Sequence, residues 1–206
     1  AFYFHQKRFT EPVWIDRAEP ANVTTITVKI SKDLIRQALN DEFQRWLKSP
    51  IPLLFFNNIS TLKIQEDEIK KGIIGPGPVP NSEYLWIDNS QRIKVLSIKS
   101  NLEAFPAEAI DEIRKQRGSD DFDVPPCMVQ IILSDLGENR LFTVLPTEVQ
   151  PYTPFSFNAP FIQDPARNGI MYPANSPTNT WLLKRIGQLA GDTILNWLNN
   201  KELNIN

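Results

Sequence analysis

The residues that build disulfides and soft-metal centres are nearly missing from this chain. Its 206 residues include one cysteine and one histidine. A lone Cys127 rules out an internal disulfide and fits a reducing, cytoplasmic setting. One His and one Cys also leave no zinc site of the usual kind. No apolar run reaches the length of a membrane span, and the N-terminus has no charged-then-apolar signal pattern. A basic surplus is absent: 22 Lys and Arg face 24 Asp and Glu, a net charge of −2. That balance argues against a dedicated nucleic-acid binder, and no nucleic-acid partner is expected. Glycine is scarce, 8 residues against 17 prolines, which implies stiff loops between short elements. There is no G-x-S-x-G elbow, no Walker loop and no dinucleotide fingerprint. Gly75-Pro76-Gly77-Pro78 is no phosphate cradle, because its prolines lack the amide donors such a site needs.

What is present reads as alternating short strands and amphipathic helices. The 41% hydrophobic content is ample for a core. Residues 1–21 are aromatic and irregular. Val23 to Ile30 alternates Ile26, Val28 and Ile30 with Thr25, Thr27 and Lys29, the pattern of a half-buried strand. Ser31 then fits a helix N-cap, and Leu34, Ile35, Ala38, Leu39, Phe43, Trp46 and Leu47 form an apolar stripe. Pro50 and Pro52 end that helix near Ser49. Leu53 to Phe56 reads as a short buried strand, paired through Asn57-Asn58 with an alternating run at Ser60 to Gln65. Glu66 to Ser82, with its glycines and prolines, reads as an exposed loop. Two strands follow, Glu83 to Asp88 and Arg92 to Ile98. A helix over 106–117 opens at Pro106 and ends at Gly118. Met128 to Leu133 is a buried strand that a turn at Gly137 returns as a hairpin partner at 141. The last helix, 176–198, has Ser176 as N-cap and Pro177 behind it. Leu182, Ile186, Leu189 and Thr193 form its apolar row, with Trp181, Ala190, Ile194 and Trp197 beside it. Gly187 and Gly191, four apart, would admit a close backbone. The tail after it reads as frayed. These elements predict an α+β fold, a mixed or antiparallel sheet with helices packed on it.

One stretch carries chemistry. Leu141 to Leu145 is a hydrophobic strand stopped by Pro146, and Phe155 to Phe157 is a second strand. Asn158 to Ile170 is irregular and holds a single cation, Arg167, among Asp164, Asn168 and Gly169. LFTVLPTE, PFSFNAPFIQDPARNGI and WLLKRIGQLAGDTILNWL together resemble the region behind the nucleotide-binding domain of sacsin and its bacterial relatives. These belong to the ATPase superfamily of the ninety-kilodalton heat-shock chaperones (GHKL). The likeness covers 141–198, and 22–65 more weakly.

The resemblance implies a transducer-like βαβ unit in the C-terminal half. It implies that residues 1–30 end an upstream ATPase domain, with its last strand at 23–30, and that 31–206 form the middle, transducer-type domain. Arg167 would be the catalytic and nucleotide-contacting residue, reaching the terminal phosphate of ATP held upstream. A guanidinium suits that role because it stays charged and forks onto phosphate oxygens. The acidic–asparagine helix and the aspartate–glycine motif of the superfamily's ATP site are not found in this sequence. The expectation is therefore a fragment with no cofactor and no activity of its own, inside a parent protein that uses ATP and magnesium. Its partners would be the upstream ATPase domain and protein clients, with no membrane. The alternative is a non-enzymatic protein-interaction or scaffolding module. A nucleic-acid role comes third, on the basic run Arg114 to Arg117. Alternative readings of single residues are bland: Arg167 paired with Asp164, His5 merely packed, Cys127 a small buried residue, and Asp120, Asp121 and Asp123 a solvated turn.

Overall fold

The structure is a computed structural model that describes residues 2–4, 12–14, 32–89, 91–136, 139–166 and 168–199. The strand expected over Val23 to Ile30, the N-cap at Ser31, the turn at Gly137 and the tail from residue 200 lie outside the described residues. The chain divides into two compact units, 1–39 and 40–206, with the division inside a helix. In the first unit, β1 (Phe2–Phe4) pairs antiparallel with β2 (Pro12–Trp14), where the sequence reads as irregular. Helix α1 (Asp33–Lys48) has the expected extent. Its apolar stripe is not buried as expected. Leu34, Ile35 and Leu39 are exposed, Phe43 and Trp46 are half-buried, and only Leu47 is buried.

The second unit is α+β. Eight strands form one mixed sheet, ordered β3-β4-β5-β6-β7-β10-β8-β9. They are β3 (Thr61–Ile64), β4 (Asp67–Pro76), β5 (Ser82–Asn89), β6 (Gln91–Lys99), β7 (Gln130–Leu133), β8 (Leu141–Thr143), β9 (Leu145–Pro146) and β10 (Ser156–Asn158). Only β10 and β8 run parallel. Helices α2 (Ile51–Phe55), α3 (Ala107–Arg117) and α4 (Pro177–Asn199) complete the unit.

Strand alternation sends side chains to two cores. On one face Ile64, Ile69, Leu85, Ile87, Val95, Ile132 and Phe142 meet Leu47 and the whole of α2. On the other, Leu96, Ile98, Ile131, Leu141 and Phe157 meet Ala109 of α3 and Leu182 and Ile186 of α4. Adjacent residues Leu141 and Phe142 thus serve opposite cores, both nearly sealed from water.

Three local readings are corrected. The apolar run at 51–55 is a helix, not a strand. Pro52 sits in its first turn, where a missing N–H costs nothing, and all five side chains are buried. A short run buried all round has no periodicity to separate the two states. Residues 67–76 are not a loop but β4. Ile69 is fully buried, and β3 pairs with β4 through a tight turn at Gln65 and Glu66, with Gln65 at φ 56°. Gly72 is there because the Trp86 ring lies across it: a Cβ would come 2.6 Å from Trp86 Nε1. The third correction concerns β7 and β8. They are not a hairpin, because β10 inserts between them.

Helix α3 ends as its sequence predicts. Gly118 takes φ 63°, and its N–H and that of Ser119 return to the carbonyls of Lys115 and Arg114. Gly187 and Gly191 face open space: nothing lies within 4 Å of a Cβ at either position.

Candidate functional site

The stretch singled out by sequence becomes a pinned loop. Strand β8 is shorter than expected, ending at Thr143. Val144 then reverses the chain at φ 71°, a left-handed conformation costly for a β-branched residue. Its N–H donates to Asn158 Oδ1 at 2.6 Å, so the end of β10 holds the reversal. Leu145 and Pro146 then pair back on β8.

From β10 the chain runs through Ala159 and Phe161, both buried, into a narrow loop closed by a bridge between Gln163 and Ile170. Asp164 is committed inside this loop. Its Oδ1 accepts from the Asn168 N–H at 3.1 Å, and its own N–H donates to the Gly169 carbonyl. Arg167 lies outside the described residues, so its expected pairing or exposure is not assigned.

Helix α4 fastens the base of that loop. Asn179, fully buried, accepts from the Ile162 N–H at 2.8 Å and donates to the Ile162 and Met171 carbonyls, both at 2.9 Å. One side chain therefore holds both strands of the loop. The helix start is itself locked. Ser176 Oγ accepts from the Asn179 N–H, as the sequence predicts for an N-cap. Glu112 of α3 adds what the sequence did not suggest: its carboxylate accepts from Ser176 Oγ at 3.0 Å and from the Thr178 N–H at 2.9 Å. A carboxylate at a helix N-terminus also suits the helix dipole.

Arg185 is the residue that sequence reasoning missed. It is 5% exposed and its guanidinium is fully engaged. It pairs with Glu103 at 3.0 Å and donates to the carbonyls of Cys127 and Asn101 and to Ser100 Oγ. It also lies against the Trp181 ring. The fork thereby ties α4 to the ends of β6 and β7. A signal existed: Arg185 falls three residues after Leu182, on the buried row rather than opposite it. Cys127, half-buried beside it, has its thiol pKa raised by burial, with Arg185 pulling the other way, so it is a weak nucleophile at neutral pH.

A cleft of about 1070 Å³ opens beside the loop. Phe105, Phe122, Phe161 and Ile162 supply apolar wall, and Asp164 and Arg117 stand at polar positions. The basic run at the end of α3 is largely occupied with its own loop: Arg114 Nε donates to the Phe122 carbonyl and Arg117 stacks on the Phe122 ring. Asp120, Asp121 and Asp123 are exposed in that loop. No group of three or more His, Cys, Asp or Glu among the described residues could hold a metal ion. His5 lies outside the described residues. No described helix is long and apolar enough to cross a membrane.

Comparison with known proteins returns nothing: no family model, no curated protein and no solved structure matches the chain.

Proposed function

We propose that this chain is the middle, transducer-type region of a sacsin-like, heat-shock-chaperone-type ATPase. In that reading an upstream domain holds ATP and magnesium, Arg167 approaches the terminal phosphate, and the loop passes the change to α4. The observation that carries the reading is the Asn179 clamp. A loop bearing a phosphate-seeking arginine can report on a nucleotide only if its displacement reaches a larger element. Here both loop strands hang on one buried side chain of α4. Glu112 joins that helix to α3, and Arg185 joins it to the sheet. Loop, helices and sheet end are thus one mechanically continuous body, as coupling through discrete contacts requires.

The test uses the complete protein with its upstream domain. Arg167→Ala should lower ATP turnover by about a hundredfold while ATP affinity stays within about twofold, since the arginine acts on transition-state charge. Arg167→Lys should restore part of the rate, because lysine keeps the charge and loses the fork. Normal turnover by the alanine variant would remove the transducer role. The alternative, a non-enzymatic protein-interaction module, rests on the aromatic-walled cleft beside the same loop. It predicts a parent protein without nucleotide turnover and a partner whose binding is weakened by Phe161→Ser.

A further inference from the structure

One face of the sheet is only partly covered by the described helices. Register places Lys63, Glu68, Lys70, Gly72, Tyr84, Trp86, Asp88, Arg92 and Lys94 on one side of β3 to β6. That is the side on which α3 and α4 pack over β6, β7, β10 and β8. From β5 only the Tyr84 side chain touches their core. The charged residues of the patch, Arg92 and Lys94 among them, are exposed, and Trp86 is half-buried.

Its composition is unusual for a merely solvated face. Trp86 and Tyr84 stand two residues apart on β5, so their rings are spaced about 7 Å along the strand. Gly72 lets the Trp86 ring lie flat across the neighbouring strand. Arg92 sits 4.2 Å above that ring, and Lys94 sits 3.6 Å above Tyr84. Lys63 and Lys70 share Glu68, at 3.5 and 2.6 Å. Four cations thus meet two carboxylates on one face of a chain whose net charge is −2. The whole-chain balance averages this patch away.

We propose that this uncovered part of the face, over β3 to β5 and the start of β6, binds single-stranded nucleic acid. Bases stack on Trp86 and Tyr84, and phosphates meet Lys63, Lys70, Arg92 and Lys94. Flat rings at successive same-face positions of an open sheet, interleaved with cations, are what a single strand uses, because every base has a stacking face. An exposed cation resting on a half-buried surface ring is held by only about 0.5–1 kcal/mol, so Arg92 and Lys94 swing onto a phosphate at small cost. Stacking a base in its place returns about 1–3 kcal/mol. An acidic peptide would use the cations and leave the rings idle.

The experiment is polarisation of a fluorescent oligo-uridine and an oligo-thymidine of about twelve nucleotides. With about four phosphates neutralised, affinity should fall roughly fiftyfold between about 50 and about 200 mM salt. The exposed double variant Arg92→Gln/Lys94→Gln should bind at least about tenfold more weakly, with an unchanged melting temperature. An abasic strand of equal length should also bind at least about tenfold more weakly, because it lacks the stacking faces. No binding of either oligonucleotide at low salt would overturn the proposal. So would undiminished binding by the double variant, or equal binding of the abasic strand.

Discussion

At the scale of single residues, the largest effects belong to buried polar groups whose partners cannot be replaced by water. Arg185 is the clearest. Its fork satisfies the carbonyls of Cys127 and Asn101 together with Ser100 Oγ, and it pairs with Glu103. Glu103 is itself 59% exposed, so the ion pair contributes little beside the hydrogen bonds. Arg185→Met should cost about 3 kcal/mol, because it strands acceptors behind a packed helix. Arg185→Lys should recover only part of that, since a point charge cannot reach three directions at once. Thermal or denaturant unfolding measures both. The charge pattern of the sequence could not rank Arg185 above Lys184, which is exposed. Position on the apolar row separates them, and the row marks burial without naming a partner.

Elements show where local pattern is sufficient and where it is not. Helices α3 and α4 follow their caps: Gly118 ends one in a left-handed turn, and Ser176 opens the other. Strands β5 and β6 follow their alternation. Helix α2 and strand β4 do not follow their surface reading, for opposite reasons. A five-residue run buried on every side carries no period, and a glycine-rich strand hides its strand character because Trp86 supplies the bulk that Gly72 lacks. The loop between β10 and α4 is also an element in this sense, because Asn179 holds it closed. Asn179→Ala removes three hydrogen bonds in a fully buried place and should cost about 2 kcal/mol. Amide exchange of Ile162 should quicken markedly, while amides in the middle of α4 near Leu182 keep their protection. If Ile162 exchanges no faster in the variant, the clamp does not restrain the loop.

Across the larger unit, stability rests on a sheet sandwiched between two cores that share strand β8. Phe142 packs on Phe55 with ring centroids 4.7 Å apart, and its neighbour Leu141 belongs to the opposite core. Phe142→Ala should cost about 3–5 kcal/mol. By contrast Ile194→Ala, on the 56% exposed end of α4, should stay within about 0.5 kcal/mol. Calorimetry of the two variants checks the contrast, and similar melting temperatures would mean that β8 does not join the cores. The sequence by itself determined the fold class, most helix and strand extents from α1 onward, both caps and the apolar row of α4. All of these depend on side chains within a few residues of one another. Tertiary structure alone decided that β10 enters between β7 and β8, and that Glu112 caps a helix 64 residues away. It also decided that Arg185 is buried and that Asn179 clips the loop. Each of these is a choice between distant partners with the same local pattern, and only the closing of two cores around one sheet selects among them.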